Sequence, residues 1–148
     1  MAAFTVIDHT ELGAAAGSWT ASSISSAYDH LLILASVRSD RAAVYDSLKL
    51  GFNANTTGGD YSHTSLVAST STPTSSRNTA QAPTYIGDMN GASNLADTFS
   101  NVKIWVPHYS NTANFTQAIT QLVHEDASTT NGEWGLEVDA VLFQSTAA

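Results

Sequence analysis

The residues able to do chemistry are scattered along this chain. His9, His30, His63, His108 and His124 are its imidazoles, and no two stand at the spacing of a helical or zinc-finger ligand pair. His63 shares a strand face with Tyr61, an arrangement compatible with a site, but a histidine on a strand face is far more often structural or simply exposed. His124-Glu125-Asp126 joins three titratable groups in a row. Consecutive strand residues point to opposite faces, however, and this segment borders a turn, so a solvated turn is expected. Asn53, Asn55 and Asp60 offer oxygen ligands in a Gly-rich turn, without the ligand density or terminal Glu of a calcium loop.

Glu137 and Asp139 share a strand face, where glycosidases also place their acid and base. On so acidic a chain, two solvent-facing carboxylates are the plainer expectation. No Gly-x-Ser-x-Gly elbow presents a serine, and without cysteine there is no thiolate nucleophile, thiolate metal site or disulfide. The expectation is no enzyme: no catalytic residue, no metal and no cofactor. Asn55-Thr56-Thr57 and Asn114-Phe115-Thr116 match glycosylation acceptors, which matter only in a eukaryotic secretory host. Trp19, Trp105 and Trp134, with Tyr61 and Tyr109, have the faces to stack on sugars, but in an all-β chain such aromatics more often pack the interior.

Composition narrows the function classes. With 148 residues, 43% of them hydrophobic, the chain is expected to form one domain over 1–148 with a core that needs no staples. Five Lys and Arg against 13 Asp and Glu give a net charge of −8, too few basic groups for tight binding to phosphates, so no nucleic-acid partner is expected. No run approaches the roughly 18 apolar residues of a membrane span. The opening Met1-Ala2-Ala3-Phe4-Thr5-Val6 has neither the basic start nor the apolar stretch of a signal peptide. No membrane partner is expected. Charged residues make up only 12%, while Ser, Thr, Asn and Gly abound, a surface common among extracellular and virion β-proteins.

The elements that must position these residues read as strands. Tyr28 to Arg41 holds the longest apolar run: Leu31, Ile33, Ala35 and Val37 fall on one face of a strand, Leu32 and Leu34 on the other. A strand apolar on both faces must be covered on both sides, which predicts a central position. Leu48, Leu50 and Phe52 alternate with Ser47, Lys49, Gly51 and Asn53. The short connection between the two segments predicts antiparallel neighbours. Further strands are predicted over 4–9, 18–24, 61–67, 84–89, 99–106, 134–139 and 140–143, with a long exposed loop over Ala68 to Pro83. Phe115 to His124 fits either a strand or a helix by spacing, and its strand neighbours favour a strand. The expected fold is all-β: an antiparallel two-sheet β-sandwich, jelly-roll-like, of eight or nine short strands.

Several segments in order carry a resemblance. Tyr28-Asp29-His30-Leu31 with Arg38-Ser39-Asp40, Leu48-Lys49-Leu50-Gly51-Phe52-Asn53 with Asp60-Tyr61-Ser62, and Ile86-Gly87-Asp88 with Ala96-Asp97-Thr98-Phe99 are three of them. Leu142-Phe143-Gln144-Ser145-Thr146-Ala147-Ala148 is the fourth. Together they make the chain similar to small virion structural proteins of tailed bacteriophages of marine and aquatic bacteria. That resemblance implies a capsid decoration or cement protein on the particle surface, with a receptor- or glycan-binding tail-fibre module as the alternative. The implied partners are the major capsid protein or other virion proteins and further copies of the chain in a homo-oligomer, with a glycan possible for the alternative. No catalytic residues come with the family.

Members of that family continue past the segment matching Ser145 to Ala148 into further strands, whereas this chain stops. Either those C-terminal strands are absent or replaced, or a neighbouring subunit fills a vacant sheet edge; the latter places Ala140, Val141, Leu142 and Phe143 at an intersubunit contact. Arg38 and Arg41, where the anchor strand exits, are the other candidate contacts, for an acidic partner. Ion pairing with Asp40 or Asp46 is the competing expectation for them.

Overall fold

The structure, a computed structural model, describes residues 4–69, 72–125 and 135–145. Within them the chain is all-β, with eight antiparallel strands in two sheets: β1 His30–Val37, β2 Tyr45–Leu50, β3 Tyr61–Ala68, β4 Thr74–Gln81, β5 Thr84–Asn90, β6 Ser100–Pro107, β7 Thr116–His124 and β8 Gly135–Phe143. Six strands form one sheet in the order β1-β6-β7-β8-β3-β4, and β2 pairs with β5 in a two-stranded ribbon. The result is sandwich-like, with eight strands in two layers as in a jelly roll, but divided six to two. No helix of the described residues is long and apolar enough to cross a membrane.

Alternation produces the core. On β6, Val102, Ile104 and Val106 face inward and Asn101, Lys103 and Trp105 outward. On β7, Ala118 and Leu122 face inward while Ile119, Gln121 and Val123 face outward. Those inward residues meet Ile86 of β5 and Val141 of β8, and Leu31, Ile33, Leu48, Leu50 and Phe52 pack around them. The ribbon strand β5 lies across β7, β8 and β3. Toward the far end of β3, Tyr61 stacks on Phe143 with ring centroids 4.7 Å apart, and Phe143 stacks on Phe52 at 5.5 Å. The buried Tyr61 hydroxyl accepts from Phe52 N at 2.8 Å and lies 3.1 Å from the Phe52 and Asn55 carbonyls, so it ties the turn after β2 to the sheet.

Five expectations are corrected. β1 is an edge strand paired only with β6, not a central one, and its Leu32 and Leu34 are exposed. β1 and β2 lie in different sheets and are not neighbours, because the chain crosses from one layer to the other between them. The stretch predicted as a loop over Ala68 to Pro83 contains β4. That strand is polar on both faces and carries no periodicity, and it forms because β3 offers a free edge to it through a hairpin. Residues 4–9 and 18–24 form no strand and pair with neither sheet.

Last, β8 is not a vacant edge. It is hydrogen-bonded to β7 on one side and β3 on the other, so Val141 and Phe143 are buried core residues, while Ala140 and Leu142 point to the outer face. Trp134, and all but the first residue of the turn expected at Glu125 to Gly132, lie outside the described residues.

Arg38 and Arg41 are both engaged within the chain. The Arg38 guanidinium donates to the carbonyls of Leu95 at 2.7 Å, Thr98 at 2.8 Å and Asn94 at 3.0 Å, which gathers the loop between β5 and β6 around one side chain. Arg41 pairs with Asp46 at 3.0 Å, and the hydroxyl of Ser39, ahead of the arginine, holds the Asp46 carboxyl below the usual carboxylate range. Removing the Arg38 fork should cost about 1–3 kcal/mol, since charge-assisted hydrogen bonds to several carbonyls vanish together. Arg38→Ala is expected to lower the urea midpoint at unchanged slope. Arg38→Lys should recover less than half the loss, because an ammonium cannot span three carbonyls in a plane.

Candidate functional site

Two features stand out: a polar cluster sealed between the layers, and an apolar face left open on the other side of the large sheet. The cluster grows from inward positions of four strands. β8 supplies Glu137 and Asp139, β3 His63 and Ser65, β7 Thr120, and β5 Thr84 and Tyr85. Asp139 accepts a hydrogen bond from Ser65 Oγ and another from Thr120 Oγ1 at 2.8 Å. Tyr85 donates to Glu137 Oε2 at 3.1 Å, while Glu137 Oε1 is buried with no hydrogen-bond partner among the described residues. The His63 ring lies 5.8 Å from that of Tyr85. Asn78 Nδ2 meets His63 Nε2 at 3.2 Å; the amide is the donor, so the ring proton sits on Nδ1, which donates to Thr84 Oγ1 at 2.7 Å.

Gly87 makes this closeness possible. Its φ is +121°, and a Cβ there would sit 3.0 Å from Leu122 Cδ1 and 3.1 Å from Glu137 Oε2. β5 therefore passes over β7 and β8 at a close spacing, and with a backbone conformation, that favour glycine.

The carboxylates thus depart from the solvent-facing pair expected. Glu137 is 3% exposed and Asp139 0%, so neither meets solvent enough to touch a substrate while the ribbon lies over it. Burial comes first, and the charge of Asp139 second, in pushing Glu137 up to about 7. Burial also pushes the Tyr85 hydroxyl up, with Asp88 and Glu137 adding to it, and pushes His63 down against the opposing pull of Asp139. The arrangement raises the affinity of Glu137 for its proton and joins four strands in one network.

Elsewhere, Asn55 Nδ2 donates to Asp60 Oδ2 at 2.7 Å and Asn55 Oδ1 accepts from Thr57 N, so this turn spends these groups on itself. Among the described residues no group of three His, Asp or Glu is placed to hold a metal ion.

The open face reads across the strands. Register places Leu32 of β1 beside Trp105 of β6, Trp105 beside Ile119 of β7, and Ile119 beside Ala140 of β8. This is an unbroken apolar row. A second group follows diagonally, Val123 and Leu136 on β7 and β8, then Val138 and Leu66 on β8 and β3. Leu32, Leu34, Leu66, Trp105, Ile119, Val123 and Leu136 are all exposed, Leu34 at 70%. Seven large apolar side chains on one face go beyond the scattered apolar residues of an ordinary soluble surface, and such patches mark contact sites.

The charge on this face is also unlike the rest of the chain. Its outward positions include Lys103 and, opposite Thr64, Arg77, and no Asp or Glu occurs among those of β1, β6, β7, β8 and β3. Of the candidate contacts read from sequence, Ala140 and Leu142 lie on this face. Arg38 and Arg41 do not join it, and Val141 and Phe143 point away from it. Sequence reading missed the face as a site, although the alternation of Leu32 and Leu34 was its signal.

The cluster generates opposed pH effects. A carboxyl that keeps its proton longer in the folded state contributes stability that is complete below its ordinary pKa near 4.5 and is lost as pH rises through about 7. His63 runs the other way: folding favours its neutral form, so its contribution is present above 6.5 and is lost as pH falls through its lowered folded value. Asp46, lowered from 3.8, acts at lower pH than either. Glu137→Gln is therefore expected to leave stability rising with pH between about pH 5 and 7, and to gain about 1–3 kcal/mol at pH 8. His63→Gln should leave stability falling across the same window. Urea unfolding of both variants across that range checks the two signs.

No family model, no curated protein and no solved structure matches this chain.

Proposed function

We propose that this protein is a structural component of a bacteriophage particle, a capsid decoration or cement protein that works at the particle surface through protein–protein contacts rather than by catalysis. The observation that carries the reading is the cross-strand row Leu32, Trp105, Ile119 and Ala140 on an uncovered sheet face. Apolar surface of this kind is stabilised by burial against another protein, at roughly 25 cal/mol per Å² removed from water. The ordered resemblance of the Tyr28, Leu48, Ile86 and Leu142 segments to phage virion proteins supplies the setting. Its partners are the major capsid protein or other virion proteins and further copies of the chain, with no cofactor, nucleic acid or membrane. The burial of Glu137 and Asp139 under β5 favours a role in holding the layers together over one in hydrolysis.

A second reading has its own observation. Trp105 is half exposed, and its ring lies 6.2 Å from that of His30, which in turn sits 4.8 Å from His108. Such a group suits a sugar-binding tail-fibre module.

Electron microscopy of intact particles with a labelled antibody separates these. Label over the head supports decoration, label on tail fibres supports the second reading, and absence from purified particles overturns both. With Leu34→Ser and Trp105→Ser combined, incorporation into heads is expected to fall at least tenfold while the melting temperature stays within a few degrees, because both side chains are already exposed. A glycan array on which binding disappears with Trp105→Ser, alongside unchanged head incorporation, would favour the tail-fibre module.

A further inference from the structure

The same chain carries a second uncovered apolar surface. Residues 4–24 precede β1 without joining either sheet, and Phe4, Val6, Ile7, Leu12 and Trp19 are exposed along them, Phe4 at 77% and Val6 at 82%. The side-chain hydrogen bond found there among the described residues, from Trp19 Nε1 to Thr10 Oγ1 at 3.1 Å, stays within the segment itself. Just beyond the segment the chain is held to the body, where Tyr109 N donates to Asp29 O at 3.1 Å and the Tyr109 hydroxyl donates to Ser25 O. It is an arm.

We propose that this arm, over residues 4–19, packs on the outer face of the six-stranded sheet of a second copy of the chain. The inference rests on the reading of that face as a protein-contact surface and names its occupant.

Three observations on the two surfaces agree. Both are apolar and uncovered, and each copy brings one arm and one face, so the contact satisfies every subunit in equal number. Their charges are complementary: the arm carries Asp8 and Glu11 and, through residue 29, no Lys or Arg, while the face carries Lys103 and Arg77 and no acid. On a chain of net charge −8, an acidic partner elsewhere on its surface would be repelled, and this face is where attraction is concentrated.

Length fits as well. Extended at roughly 3.3 Å per residue, the 21 residues from 4 to 24 reach about 70 Å, whereas six strands spaced about 4.8 Å apart make a face about 24 Å across. A shallow depression lined by Leu34, Asn101, Lys103, Gln121 and Val123 offers a seat beside β1. β1 also leaves one backbone edge unpaired, to which an extended segment can add. Because each copy gives its arm to one neighbour and receives one from another, or exchanges arms within a pair, the contact produces a homo-oligomer.

The absence of native cysteine makes the test direct. A Val6→Cys chain is mixed with a Leu34→Cys chain under mild oxidation, and the disulfide-linked peptides are identified by mass spectrometry. The expected result is a link between positions 6 and 34 at least tenfold above that between Val6→Cys and Lys49→Cys, which lies on the ribbon. Equal yields at both positions overturn the proposal. So does a link that forms within a single chain of the double variant but not in the mixture, since the arm then covers its own face.

A charge exchange supplies an independent readout by sedimentation. Lys103→Glu alone and Asp8→Lys with Glu11→Lys alone should each weaken self-association at least tenfold, and the mixture of the two variants should restore it, because each arm then meets a face of opposite charge. Failure of the mixture to restore it overturns the arm's place on this face. Both measurements use the purified chain, so their outcome stands apart from whether the protein is found on a particle.

Discussion

The structure depends on a mismatch of area. A six-stranded sheet has two broad faces, and among the described residues one two-stranded ribbon is there to cover them. The ribbon covers the middle of one face, where β5 crosses β7, β8 and β3, and that choice creates the core of Ile86, Val102, Ile104, Val106, Ala118, Leu122 and Val141. No described segment covers the opposite face, so Leu32, Trp105 and Ile119 stay half in water. The hydrophobic effect sets the consequence: a face of this composition is stabilised by any partner that removes it from water without stranding a charge. Lys103 and Arg77 then restrict which partner that is.

The same narrow ribbon explains the buried acids. Where β5 passes over the sheet, Gly87 brings backbone close enough to seal Glu137 and Asp139, and burying two carboxyls costs free energy unless protons or hydrogen bonds compensate. Asp139 is compensated by Ser65 and Thr120, Glu137 by Tyr85 and by a raised affinity for its proton. An apolar seam would hold the layers at least as firmly. What the polar one adds is position, since a shift of β5 along the sheet by one residue would strand a carboxylate without a partner. His63, anchored between Asn78 and Thr84, adds β4 to the same set of constraints.

Much of this was legible in the residue order. The inward set Val102, Ile104 and Val106 and the outward set Lys103 and Trp105 follow from period two, and Phe115 to His124 resolves as a strand in which Ala118 and Leu122 face in. β4 was not legible, because Thr74 to Gln81 is polar except for Ala80 and becomes a strand only through β3. The carboxylate pair was visible as residues sharing a face, but its direction was not. Glu137 and Asp139 lie between Leu136, Val138 and Ala140, and here the acids take the inner face while the apolar residues take the outer one, the reverse of the usual assignment. That inversion is the clearest departure from hydrophobic patterning in the molecule, and it coincides with both of its unusual features.

By itself, the sequence determined that the chain is all-β, and which side chains share a face, because side-chain alternation is a local property of extended backbone. The apolar residues on both faces of the run from Leu31 to Val37 pointed to cover on both sides, which Leu32 and Leu34 do not receive. Only the tertiary structure decided that β1 lies at an edge, that β8 is enclosed by β7 and β3, and that the outer face receives no cover from the described chain. Strand order and layer assignment arise from pairings between residues far apart in sequence, such as Leu32 with Trp105 or Ser65 with Asp139. No local pattern encodes which distant edge a strand will meet.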